Sequence, residues 1–225
     1  MINYLATQKN WQNAFSDTIT SFAELAQALD LPIDSFDSQV GQFPLKVPRR
    51  FVQKMGKGDI HDPLLKQVLP TFQETVQVTG FVTDPLDEQH ANPVKGIIHK
   101  YASRVLIPVT GACVVNCRYC FRQHFDYHED LPTQNDWQAI SAYLTAHPAV
   151  NEVILSGGDP LSLSNRRLLE IFTTLEALPQ VQTIRIHTRV PVMIPERLDE
   201  PLLARFANSR CHIVMVIHAN HPNEI

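Results

Sequence analysis

Glu152-Val153-Ile154-Leu155-Ser156-Gly157-Gly158-Asp159-Pro160 decides how this chain folds. A short apolar run ends in two glycines and a proline, and a helical pattern follows over about Arg166 to Leu178. Glycine and proline together stop a strand and turn the chain sharply. The same unit recurs on either side. Arg104-Val105-Leu106-Ile107-Pro108-Val109-Thr110 precedes a cysteine-rich loop and a helix from about Asp136 to Ala146. Thr183-Ile184-Arg185-Ile186 ends at His187-Thr188-Arg189 and leads to a helix from about Glu196 to Phe206. His212-Ile213-Val214-Met215-Val216-Ile217 ends at His218-Ala219-Asn220-His221. Apolar strands alternating with helices predict an α/β fold, a parallel sheet covered on the outside by its helices. About four such βα units make only part of a barrel. A chain that stops at Asn223-Glu224-Ile225, directly after the fourth strand, is therefore expected to be a truncated piece.

Upstream the pattern is different. Residues 1–100 read as an N-terminal helical extension and residues 101–225 as the core. Ser21 and Glu24 have the spacing of a capping box before Leu25-Ala26-Gln27-Ala28-Leu29. Pro48 opens a short helix over Arg49-Arg50-Phe51-Val52, and Asp62-Pro63-Leu64-Leu65-Lys66-Gln67-Val68-Leu69 repeats that device. Thr83-Asp84-Pro85 through Asn92-Pro93 reads as loop.

Hydrophobic residues make up 44% of the 225, enough for a sizeable core and against disorder. The formal charge of −4 comes with no basic block or aromatic–basic interleaving, which argues against nucleic acid as a partner. Met1-Ile2-Asn3-Tyr4 does not begin a basic segment followed by an apolar run, so no secretory signal is expected. Apolar runs such as Cys211 to Ala219 fall far short of the roughly 20 residues that span a membrane. The expectation is a soluble cytoplasmic protein.

In that reducing compartment cysteines rarely pair, and three of the four here crowd into Cys113-x-x-x-Cys117-x-x-Cys120. Three thiolates from one tight loop are suited to a four-iron cluster, leaving one iron without a protein ligand. The amino and carboxylate end of S-adenosylmethionine can chelate that iron, and the cofactors then carry the radical chemistry. A zinc site of three cysteines and a histidine, His124 or His99, is the competing reading, although structural zinc ligands usually come as two separated pairs. Cys211 opens a strand and reads as a buried apolar residue. His187, Arg189, His218, Asn220 and His221 sit at strand ends, where parallel α/β folds place their sites, but strand-end histidines are more often structural than catalytic.

Cys-Val-Val-Asn-Cys-Arg-Tyr-Cys-Phe-Arg, then Leu-Ser-Gly-Gly-Asp-Pro-Leu, then Ile-Arg-Ile-His-Thr-Arg-Val-Pro-Val resembles the lysine 2,3-aminomutase family. Phe-Pro-Leu-Lys-Val-Pro-Arg-Arg-Phe, from Phe43, and Asp-Pro-Leu-Leu-Lys-Gln-Val-Leu are similar to its bacterial branch that makes (R)-β-lysine for elongation factor P. The resemblance implies a partial (β/α) barrel of the radical S-adenosylmethionine type and a need for pyridoxal 5′-phosphate. It implies a [4Fe-4S] cluster on Cys113, Cys117 and Cys120. Ser156, Gly157, Gly158 and Asp159 match the motif that meets the methionine amino group, the glycines letting backbone approach a ligand closely. Arg122 matches the arginine that clamps the substrate carboxylate, a task suited to a guanidinium fork. Gln123 stands where relatives often carry another arginine. Arg104 matches a position near the pyridoxal phosphate, with Lys100 beside it.

By the same resemblance a 5′-deoxyadenosyl radical takes hydrogen from C3 of lysine, and the amino group moves from C2 to C3. An electron donor such as flavodoxin or ferredoxin is implied, and a homo-oligomer stays open. The lysine that carries pyridoxal phosphate matches no residue here, so the 225-residue chain is expected not to complete the reaction. A zinc-binding interaction module and a radical aminomutase for another amino acid are the alternatives.

Overall fold

The computed structural model describes residues 11–37 and 43–225, so the opening Met1-Ile2-Asn3-Tyr4 lies outside it. A small antiparallel pair comes first, β1 (Thr18–Ile19) with β2 (Val47–Pro48). The main sheet has the order β3 (Ile98–Tyr101), β4 (Arg104–Thr110), β5 (Glu152–Gly157), β6 (Thr183–Thr188) and β7 (His212–Ile217). β4 to β7 are all parallel, as the alternating pattern requires, and β3 is antiparallel to β4.

Residues 11–16 are helical, and the helices that follow are α1 (Phe22–Ala28), α2 (Arg49–Val52), α3 (Tyr127–Asp130), α4 (Asp136–Ala146), α5 (Asn165–Glu176), α6 (Val190–Met193) and α7 (Glu200–Ala207). α4 buries Trp137, Ile140 and Leu144, and α5 buries Leu168, Ile171, Phe172 and Leu175, one helical stripe in each case. These stripes belong to one hydrophobic cluster with the buried strand residues Val105, Ile107, Val153, Leu155, Ile184 and Ile186. Strand residues alternate in direction, so the intervening Leu106, Ile154, Ser156 and His187 turn to the opposite face and line a cavity there. The parallel sheet thus has a dry face under the helices and a concave face around a site.

Several upstream expectations need correction. Ser21 is the N-cap of α1, yet its side chain caps nothing, and Glu24 instead takes Arg49 at 2.5 Å. The capping box that does form is Thr71 with Glu74, at the start of the 3₁₀ turn Phe72–Thr75. Asp62-Pro63 starts no α-helix. The buried Asp62 carboxylate accepts from the backbone of Leu64, Leu65 and Gly56, and a 3₁₀ turn follows at Leu65–Gln67. α7 begins at Glu200 rather than Glu196, because Asp199 caps Leu202 N at 2.9 Å and Pro195–Arg197 is a separate turn.

β3 was hidden in the sequence by its brevity, and it lies across residue 100, where the extension was expected to end. Trp11, Ile19, Leu25, Val47, Phe51 and Leu64 share the core cluster with the barrel strands. Among the described residues no helix is long and apolar enough to cross a membrane.

Candidate functional site

β4 ends at Thr110, and the next ten residues form the cysteine loop. Val114 and Val115 plug it into the core, at 1% and 3% exposure. The upstream segment clasps its backbone. Lys46 Nζ donates to the Cys113 carbonyl at 2.6 Å, Asn116 N to the Lys46 carbonyl at 2.9 Å, and Arg118 N to the Gln67 carbonyl at 2.8 Å. The Arg118 side chain reaches the Phe43 carbonyl at 3.0 Å and forms an ion pair with Glu74. The residues before 100 therefore fix the loop that carries the thiols.

The Ser156–Asp159 turn closes on that loop from β5. Gly158 N donates to the Thr110 carbonyl at 2.6 Å, and Asp159 N to the Ala112 carbonyl at 2.9 Å. A Cβ on Gly157 would stand 2.5 Å from the Thr110 oxygen, and one on Gly158 would stand 2.4 Å from the Ala112 oxygen. Gly157 also has φ +112°, which a side chain rarely adopts. What the glycines admit is the backbone at the end of β4 and the start of the cysteine loop, a packing demand the sequence reading did not foresee. Asp159 is buried. Its carboxylate accepts from Thr188 Oγ1 at 2.7 Å and from the backbone N–H of Arg189, Leu161 and Val190 at 2.7, 3.0 and 3.1 Å. It ties the end of β5 to the end of β6. Burial pushes its carboxyl up, and these donors pull against that.

Cys113, Cys117, Cys120 and Ser156 through Asp159 all border one cavity of about 580 Å³ at the C-terminal ends of the strands. Burial pushes the Cys113 thiol well above its ordinary range, reinforced by Asp159 and the neighbouring thiols and opposed by Lys46. Burial raises the Cys120 thiol as well. Metal binding takes thiolates, so loading this loop would release protons. Among the described residues no three His, Cys, Asp or Glu side chains converge on a single ion position. A cluster does not need that convergence, since its thiolates go to different irons. Neither His99 nor His124 borders the cavity. His99 instead bonds the Tyr143 hydroxyl at 2.7 Å. Cys211 is buried away from it, on the Val181 carbonyl.

Arg122 follows the last thiol, on the 3₁₀ turn Phe121–His124. It is buried over the Phe121 ring, and its fork is already engaged. Nε and Nη2 hold Glu88 at 3.0 and 2.6 Å, and Nη1 donates to Ser156 Oγ at 2.9 Å. Glu88 went unnoticed in the sequence because nothing distinguishes it within a polar loop. Arg104 is exposed at the rim, stacked on Tyr101 at 5.1 Å, with Lys100 beside it on the same cavity wall. Arg189 also borders the cavity and is buried, and its Nε–H has no hydrogen-bond partner in the protein. His187, half-buried on the wall, is held below its ordinary pKa by burial and by Arg185 and Arg122. His218 bonds Asn220 at 3.1 Å, and His221 caps the turn Pro222–Glu224.

Residues 107–222 match the radical SAM superfamily, a span that contains the end of β4, the thiol loop, the glycine turn and β5 to β7. The chain belongs to the radical SAM superfamily. Membership implies a [4Fe-4S] cluster and S-adenosylmethionine, and this radical SAM protein has a cavity that fits both. It offers three thiols, and an unpaired buried donor for a polar group. The L-lysine 2,3-aminomutase of Haemophilus influenzae is 44% identical over 221 residues, covering 97% of this chain and 65% of the relative. That of Escherichia coli is 43% identical over 223 residues, with the same coverage. That of Clostridium subterminale is 31% identical over 225 residues, covering 98% of this chain and 54% of its own. The chain thus spans about two thirds or less of the length of the curated relatives it matches.

Proposed function

We propose that this radical SAM protein is part of an isomerase that converts L-lysine to (R)-β-lysine, with pyridoxal 5′-phosphate as a further cofactor. One observation supports it above the others. The thiol loop and the Ser156–Asp159 turn are locked together by hydrogen bonds on one cavity, in a chain 44% identical to an L-lysine 2,3-aminomutase. The use of β-lysine for modifying elongation factor P is the extension of that reading.

In this proposal Cys113, Cys117 and Cys120 hold the cluster, and residues 101–225 form the cofactor core that the preceding extension braces. The bound cofactors supply a radical able to take hydrogen from an unactivated carbon, and the amino group migrates under pyridoxal phosphate. The chain's own residues do the rest. The Ser156–Asp159 wall receives the methionine end of S-adenosylmethionine. Arg122 presents a guanidinium for the substrate carboxylate, oriented from its other edge by Glu88. Arg104 and Lys100 offer positive charge at the rim for a phosphate. The apolar wall of Leu106 and Ile154 keeps water away from the reacting carbon. A small electron-transfer protein of the flavodoxin or ferredoxin kind would reduce the cluster, and free thiols with an oxygen-sensitive cluster suit the cytoplasm.

The test is product analysis, under anaerobic conditions with S-adenosylmethionine, pyridoxal phosphate and dithionite, of the whole protein to which these residues belong. Lysine, glutamate and arginine are offered in parallel. The proposal expects β-lysine from lysine alone. A β-amino acid from glutamate or arginine with none from lysine would overturn the substrate assignment.

A further inference from the structure

Arg189 makes more buried polar contacts than the proposed chemistry uses. It stands at the N-cap position of α6, at the end of β6, and its side chain is 5% exposed. Nη1 donates to Cys117 Sγ at 2.9 Å and also to the Tyr119 hydroxyl. Nη2 donates to Gln67 Oε1 at 2.6 Å and to Glu224 Oε2 at 3.3 Å. Those partners are joined to one another. Gln67 Nε2 holds Glu224 at 2.8 Å, and Asn220 Nδ2 reaches the Tyr119 hydroxyl at 2.5 Å. The rings of Phe51 and Tyr119 lie 5.5 and 5.4 Å from the guanidinium carbon. The upstream extension, the thiol loop and the turn after β7 thus all hold one cation in one orientation against one ligand sulfur.

We propose that Arg189 sets the reduction potential of the cluster through its N–H···S hydrogen bond to Cys117. The inference rests on the reading that Cys117 is a cluster ligand. Reduction adds negative charge to the cluster and its thiolates. A donor fixed on a ligand sulfur, and a buried positive charge beside it, stabilise that reduced state and raise the potential. Low polarity strengthens both effects. Glu224 acts in the opposite sense. Its buried carboxylate offsets part of the guanidinium charge, so the pair leaves the site close to neutral. Arg189 is in this account a positioning residue, acting on the cluster through the sulfur.

The experiment measures the midpoint potential of the anaerobically reconstituted protein without substrate, for the unaltered chain, Arg189→Lys and Glu224→Gln. Iron content is measured alongside. The expected result is full iron in all three, a potential shifted downward in Arg189→Lys and upward in Glu224→Gln. Electron–nuclear double resonance of the reduced cluster gives a second signature. An exchangeable proton coupled to the cluster should vanish in Arg189→Lys and persist in Glu224→Gln. Equal potentials in three iron-loaded proteins would overturn the proposal. So would loss of iron from a folded Arg189→Lys protein, since that would make Arg189 an assembly residue. If the unaltered protein takes up no iron, the ligand reading fails first and this inference with it.

Discussion

The thiol loop and the segment from Thr71 to Asn92 border the same cavity and are held in opposite ways. The loop has two valines in the core, a lysine and an arginine gripping backbone carbonyls, and a glycine turn pressed against its start. The 71–92 segment exposes Val76, Val78, Phe81, Val82 and Leu86, with Phe81 at 82%, and its deep contact is Glu88 on Arg122. One region is clasped along its length, and the other is pinned at a few side chains, Glu74 on Arg118, Glu88 on Arg122 and Asn92 on Asp130. Cofactor-holding groups belong on the first kind of support. The second kind can bring a single side chain to a site with little else fixed.

Breaking the clasped region should have the largest effect. Alanine at Cys113, Cys117 or Cys120 should each abolish iron binding, whereas Cys211→Ala should leave it intact, as anaerobic iron analysis of the purified variants would show. Iron retained in one of the first three would remove that residue from the ligand set.

The deepest pin comes next. Both partners of the Arg122–Glu88 pair are 7% exposed. Glu88→Ala leaves a buried guanidinium unpaired and should cost about 3–5 kcal/mol of stability, read from denaturant midpoints. Asp87→Ala, one residue away, loosens the exposed contact to His90 and puts alanine at φ +52°, which should cost about 1 kcal/mol or less.

Two glycines sharpen the contrast at smaller scale. Gly158→Ala drives a methyl into the Ala112 carbonyl and should cost about 1–3 kcal/mol, together with weaker iron retention. Gly80→Ala meets nothing within 4 Å, so only its φ of +89° counts, at about 1 kcal/mol and with no change in iron.

The four parallel strands were legible in the sequence because each is apolar and ends at a glycine, proline or histidine cluster. The thiols were legible from spacing alone. Glu88, Lys46, Gln67 and Glu224 were not, since their partners lie between 34 and 157 residues away and no local pattern records such a contact. The glycine turn was recognised, but the packing demand on its glycines was not. Only coordinates reveal that the close approach is from Thr110 and Ala112. β3 escaped because four residues are too few to show a period.

His187 offers the smallest effect and a pH signature. Burial and two arginines hold its folded pKa below the ordinary value of about 6.5, so the unfolded chain takes up the proton first. The stability it contributes is present above about pH 6.5 and is lost as pH falls from there toward the lower folded pKa. His187→Gln should therefore flatten the stability–pH slope just below pH 6.5. An unchanged slope would show that another group sets the acid side.

The central claim is that the clasped loop carries an iron–sulfur cluster, and metal and sulfide analysis of the anaerobically reconstituted chain tests it most directly. The account predicts a brown protein with about four irons and about four inorganic sulfides per chain. A colourless protein holding zinc, with no inorganic sulfide, would contradict it.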